Sequence, residues 1–442
     1  MNSRLFVLSA PLVLAGILVG TLVNCSQQEE QAGDPGEIRL VLQITVDGLR
    51  GDLLDRYRHH FGPGGFNRLL DGGTRYTNAH YQHANTETIV GHTTLATGAT
   101  PSLHGMIGNA WLDRVEGGLA YNIEDSDHPL LPSREDAAKG AQVDPTQAAA
   151  RSNGRSPRNI LVPTLTDTLS AYHAGKSKIF AVSGKDRGAV PMAGRHGKAF
   201  WFSTDTTDFV TSKYYYDEYP KWAADWNAQR YGEKRYAGTE WKLGAPPESY
   251  QLLEQDDRPY EVDLKGYGRT FPHNMGRKDP LFGTRLLVSP AADQLTADFA
   301  KALVTAEKLG EDGTPDFLGL SFSGVDAVNH FFGPSSLENE ETVRVLDLTL
   351  ADFFNFIDET VGLDKTLIVL CADHGMADMP EYAASLGQDA GRLEPDEIVA
   401  VANAAGAKLG VEEVTRFFFR PYLYLDDEKI TAAGVDLSLI HI

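Results

Sequence analysis

Four short runs of the chain are dense in apolar residues and stop abruptly at polar ones. RLVLQITV (Arg39 to Val46) leads into Asp47, KIFAVS (Lys178 to Ser183) into GKDRG, DFLGLSF (Asp316 to Phe322) into SGVD, and LIVLC (Leu367 to Cys371) into ADHG. Runs of this length predict buried strands. Between them the apolar period becomes helical. Leu295, Phe299 and Leu303 recur at four-residue spacing behind Ser289 and Pro290, and Leu346, Leu350, Phe353, Ile357 and Val361 make a longer stripe. Both stripes are core-packing faces. The alternation predicts a doubly wound α/β fold, a mostly parallel sheet with helices on both faces. Functional groups in such sheets gather beyond the carboxyl ends of the strands, where each of these runs places Asp, His, Lys or Arg.

Two stretches break the alternation. Residues 111–157 are rich in Gly, Asp, Ser and Pro, and residues 199–285 are aromatic and irregular. Both predict insertions beside the sheet, the second a cap. The core then falls in three parts, 37–110, 158–198 and 286–442, the last incomplete. Trp201, Tyr214, Tyr215 and Tyr216 have two readings, the lining of a substrate entrance or the cap's own small core, and the second is preferred.

The 442 residues are 42% hydrophobic and 23% charged, enough for a large core. A net charge of -21 excludes general binding to nucleic-acid backbones. A small phosphorylated substrate is compatible with it if metals or a few basic residues reverse the sign locally. The first residues carry Arg4 and an apolar run from Leu5 to Val23, which predicts an export signal over 1–24; an uncleaved membrane anchor is the alternative. LVNC predicts lipidation at Cys25, despite Asn24, and a polar linker occupies 25–36. The expected location is the periplasm or the outer membrane. With Cys25 and Cys371 as its two cysteines the chain has no disulfide framework, and Cys371 is expected in the core.

Candidate chemistry sits at the strand ends. Asp47 closes the first run, Asp326 and His330 share a helix face in DAVNH, and Asp373 and His374 are adjacent. Mixed carboxylates and imidazoles suit zinc, and a pair of such ions can clamp an in-line phosphoryl displacement. TETIVGH (86–92) places threonine before a helix, either as an N-cap or as a nucleophile where helix N–H groups favour phosphate. Lys185 and Arg187, two apart at a strand end, and the amide of Asn109 are donors for a phosphoryl group. Strand alternation would put the basic pair on one side.

These segments, VDGLRGD, TETIVGHTTLATGATPSLHGMIGN, SGKDRGAV, SGVDAVNH and ADHGM, resemble in order the alkaline phosphatase superfamily, and within it the bacterial PafA type that uses threonine. The resemblance runs from about residue 38 to 380 and is weakest in the two insertions. It implies Thr88 as the nucleophile, with Thr86 a neighbour. It implies one zinc on Asp47, Thr88, Asp373 and His374 and another on Asp326, His330 and a further histidine. Asn109, Lys185 and Arg187 match the residues that contact the phosphoryl oxygens. The Lys/Arg pair separates this branch from the nucleotide pyrophosphatase/phosphodiesterases. The further histidine departs from the pattern: His441 is the one histidine after His374 and lies outside any motif. The chain looks truncated relative to that family, which bears on the second zinc.

The expected function is hydrolysis of phosphate monoesters of small metabolites by a monomeric enzyme, through a phosphothreonine intermediate, with two zinc ions. A phosphodiesterase or nucleotide pyrophosphatase on the same fold is the alternative within that class, and an inactive metal-binding remnant the alternative outside it. A sulfatase is disfavoured, because no cysteine or serine stands at the nucleophile position.

Overall fold

The computed structural model describes residues 37–132, 143–277 and 279–436. Six strands build the main sheet: β1 (Leu40–Val46), β2 (Ile179–Ser183), β3 (Lys198–Phe202), β4 (Phe209–Val210), β5 (Asp316–Phe322) and β6 (Thr366–Cys371). Their spatial order is β6-β1-β5-β2-β3-β4, with every pairing parallel except the last. The first strand lies between the two latest, with Leu40 opposite both Thr366 and Asp316.

Strand alternation sorts the side chains to two faces. Leu42, Ile44, Val46, Val182, Leu318, Leu320 and Phe322 point into one cluster, covered by α3 (Pro290–Glu307) and α5 (Leu337–Thr360). Leu295, Phe299, Leu303, Leu346, Leu350, Phe353 and Ile357, the predicted stripes, are all buried there. Ala181, Ala199, Trp201 and Val210 point the other way, toward α1 (Thr88–Thr97) and α2 (Asp186–Ala193). Helices therefore cover both faces. Gly319 lets α2 approach closely, since a Cβ there would stand 3.0 Å from Met192 Cβ.

Several boundaries differ from expectation. Residues 199–202, assigned to the cap, belong to β3, because FWF continues a strand that pairs with Val182 and Ser183. Trp201 and Tyr215 are buried in the second main cluster, with Tyr214 and Tyr216 packed against it. They neither line an entrance nor form a separate cap core. The rest of the second insertion includes the short helices Lys221–Ala228 and Tyr231–Tyr236 and an antiparallel pairing of Glu240–Trp241 with His273–Asn274. The first insertion carries a hairpin of Ala110–Leu112 with Leu119–Tyr121. Cys371 is half-buried rather than fully in the core, since β6 is an edge strand that leaves Leu367 and Val369 exposed. Residues beyond 395 form a satellite of helix, hairpin and helix around Val411, Val414 and Ile430.

The expected export signal, Cys25, the linker to residue 36 and His441 lie outside the described residues. No described helix is long and apolar enough to cross a membrane.

Candidate active site

Neighbouring strands deliver the candidate ligands to one edge. Asp47 follows β1, Asp326 lies in the first turn of α4 (Gly324–Phe332) after β5, and Asp373 and His374 follow β6. Gly48 takes φ +70°, and a Cβ on it would stand 2.9 Å from Asp326 Cβ, so this turn requires glycine. Ligand atoms of Asp47, Asp326 and His374 all lie within 4.8 Å of one another, and all three residues are buried. His374 Nε2 is 3.3 Å from Asp47 Oδ1, 3.6 Å from Asp373 Oδ2 and 3.9 Å from Asp326 Oδ1. His330 Nε2 reaches Asp326 Oδ2 at 3.5 Å from one turn along α4, as its spacing predicts, and is itself exposed.

These carboxylates fit a cation. Asp47 Oδ1 and Asp326 Oδ1 are buried with no hydrogen-bond partner, an arrangement that costs free energy unless a positive charge compensates. Asp373 Oδ1 accepts from the N–H groups of Gly48 (3.1 Å) and His374 (2.9 Å), which fixes its orientation. Burial and the Asp373 charge push Asp47 up, but Lys185 and His374 outweigh them and its carboxyl stays below the ordinary value. Burial pulls His374 down, yet Asp373, Asp47 and Asp326 push it up to about 10.

Thr88 is buried at the start of α1, where the N-cap is Glu87 and makes no side-chain cap bond. A capping role for this threonine is thereby overturned: Thr88 is the first helical residue. Its helix abuts the Asp373 strand end, since a Cβ on Gly91 would stand 2.1 Å from the Asp373 carbonyl oxygen. Asn109 accepts from the Ile89 N–H through Oδ1 (3.1 Å), leaving its Nδ2 as the donor end beside the helix start.

The basic pair departs from expectation. Lys185 is the N-cap of α2 and Arg187 lies inside that helix, so strand alternation does not govern them. Lys185 Nζ bridges Asp47 Oδ2 (2.7 Å) and Asp326 Oδ2. Arg187 instead pairs with Asp144 of the first insertion at 2.7 Å. It remains a charged neighbour of Lys185 and Glu87.

Three residues escaped the sequence reading, the buried His92 and Asp293 and the half-buried Glu87. His92 Nδ1 stands 2.9 Å from Asp373 Oδ2, and its Nε2 is 2.9 Å from Ser321 Oγ. The four-residue rule that paired Asp326 with His330 could have paired Thr88 with His92. Glu87 accepts from the Asn109 N–H. Asp293 receives the N–H groups of Ser323 (2.9 Å) and Gly324 (3.0 Å) and so holds the start of α4.

The profile of the type I phosphodiesterase / nucleotide pyrophosphatase family matches residues 41–410. Alkaline phosphatase PafA of Elizabethkingia meningoseptica is 32% identical over 96% of this chain and 75% of its own length. The chain belongs to the PafA-type alkaline phosphatases. This hydrolase group lies within the alkaline phosphatase superfamily, and its fold is carried over closely. A crystal structure of wild-type PafA superposes with a TM-score of 0.79 at 30% identity, covering 91% of this chain and 75% of that one. Alkaline phosphatase PhoV of Synechococcus elongatus is 36% identical over 78% of this chain, which spans 60% of the PhoV length.

Proposed function

We propose that this chain hydrolyses phosphate monoesters of small metabolites through a phosphothreonine formed on Thr88. The observation that carries the reading is the convergence of Asp47, Asp326 and His374 within 4.8 Å, beside the helix that begins at Thr88. One zinc would be held by Asp47, Thr88, Asp373 and His374, and a second by Asp326, His330 and a further histidine. Bound there, the two ions supply Lewis-acid stabilisation and lower the pKa of a neighbouring hydroxyl.

The chain's own groups do the rest. The Thr88 oxygen attacks phosphorus as the ester oxygen leaves on the opposite side, and water then attacks the phosphothreonine to release inorganic phosphate and restore the hydroxyl. Asn109 Nδ2, Lys185 and Arg187 donate to the non-bridging oxygens. A PafA structure substituted at a threonine, an asparagine, a lysine and an arginine presents these residue types in the same chain order as Thr88, Asn109, Lys185 and Arg187. The reading extends to an exported monomer, tethered through a lipid on Cys25.

The test is hydrolysis of an aryl phosphate monoester and the matching diester with added zinc, by the native chain and by Thr88→Ala. Monoester turnover that Thr88→Ala abolishes supports the proposal. Diester preference would move the chain to the phosphodiesterase reading, and undiminished turnover in Thr88→Ala would remove the nucleophile.

A further inference from the structure

His59 and His60 lie on a one-turn helix after β1, and Glu340 lies in the first turn of α5. His60 Nε2 is 2.9 Å from Glu340 Oε1, and His59 Nε2 is 3.9 Å from the same oxygen. One ligand atom from each residue lies within 4.8 Å of the other two. The group shares no residue with the Asp47 centre.

Glu340 is fully buried. Among the described residues its charged partners are these two imidazoles, and no lysine or arginine pairs with it. A buried carboxylate with no fixed cation beside it favours an incoming positive charge. The orientation of Glu340 is fixed: Oε1 accepts from the Gln251 N–H at 2.9 Å, and Oε2 accepts from those of Gln251 (3.1 Å) and Leu252 (3.2 Å). A carboxylate held by backbone donors and facing two imidazoles has the outer support that metal ligands require. His59 Nε2 donates to the Ser249 carbonyl oxygen at 3.1 Å, and an incoming ion would displace this bond together with its proton. His59 is exposed, which leaves one side open to solvent and to an incoming ion.

We propose that His59, His60 and Glu340 bind a divalent transition-metal ion of the zinc class, separate from the phosphoryl-transfer centre. Two imidazole nitrogens, one carboxylate oxygen and a water complete a tetrahedral set. The ion neutralises Glu340 and ties three segments together: the turn after β1, the Ser249–Leu252 loop of the second insertion, and the start of α5. It is a clamp that seats the insertion on the core. Tyr250 strengthens the same seam, with its ring 5.0 Å from that of His60 and its hydroxyl 2.5 Å from Glu341 Oε2.

The test counts zinc by elemental analysis after chelation and dialysis against Zn²⁺. It compares the native chain, His59→Ala/His60→Ala, and both again in an Asp47→Asn/Asp326→Asn background. The expected result is one equivalent fewer on loss of the histidines in either background. In the Asn background, the single variant His59→Ala, at an exposed side chain, should also abolish the rise in melting temperature that Zn²⁺ produces. Equal zinc counts with and without the histidines would overturn the proposal. A chain without phosphatase activity that still loses one equivalent would sink the functional reading and leave this one standing.

Discussion

His92 Nδ1 and Asp373 Oδ2 stand 2.9 Å apart, both fully buried. The contact ties the helix that starts at Thr88 to the strand end that carries His374. Burial pushes the Asp373 carboxyl up, but His374 and His92 hold it well below the ordinary carboxylate range. His92→Leu should weaken metal affinity or turnover about 10- to 100-fold, the usual cost of losing a group that orients a metal ligand. Dissociation constants for added divalent metal and kcat measured on the folded variant check this, and unchanged values would reduce His92 to packing.

Lys185→Ala/Arg187→Ala should lower monoester kcat/KM by at least about 100-fold, since charge-assisted hydrogen bonds are worth about 1.5–3 kcal/mol each. Diester hydrolysis should fall far less, because an esterified phosphoryl group carries one less anionic oxygen. Equal losses on both substrates would mean that the pair serves the carboxylates alone.

Glu261 is pushed up to about 9, by burial first and then by the Glu338 charge, against the pull of Arg258. Neither of its oxygens has a hydrogen-bond partner. Such a carboxyl stays protonated in the folded protein while the unfolded chain ionises near its ordinary 4.5. Its contribution to stability is therefore complete below that value and is lost as pH rises toward about 9. Glu261→Gln should melt at least ~2 °C above the native chain near the alkaline end, the shift expected for about 1 kcal/mol, and together with it under acid conditions. Parallel melting curves across the whole range would contradict this.

Phe299 is fully buried and stacks on Phe209 with ring centroids 4.3 Å apart, with Phe200, Trp222 and Trp226 around it. Phe299→Ala should cost about 3–5 kcal/mol. Chemical denaturation gives the value directly. A loss under about 1 kcal/mol would show that this cluster collapses to fill the space.

The strands and helix stripes were legible because buried parallel strands and core-facing helices write their burial into simple periods. The convergence of Asp47, Asp326 and His374 was legible because each follows a strand closely, and His330 could be added because it lies one helical turn from Asp326. Two kinds of feature were not. The start of the second insertion was misplaced because Trp201 resembles the aromatic residues that follow it, and only pairing with β2 distinguishes them. The partner of Arg187 was invisible because Asp144 comes from a loop with no periodicity, brought near by tertiary folding alone.

The placement of β1 between β5 and β6 has a consequence for how the protein comes into being. Asp47 is made early, while Asp373 and His374 are made more than three hundred residues later. A chain emerging from its N-terminus thus carries one ligand of the centre for most of its synthesis without its neighbours. Closing so long a loop is slow and entropically unfavourable. An ion meeting the unfinished chain finds scattered donors rather than a cradle. The candidate centre of Asp47, Asp326 and His374 is therefore assembled only when the last strand of the sheet has taken its place, and the folded state itself gates when an ion could settle there.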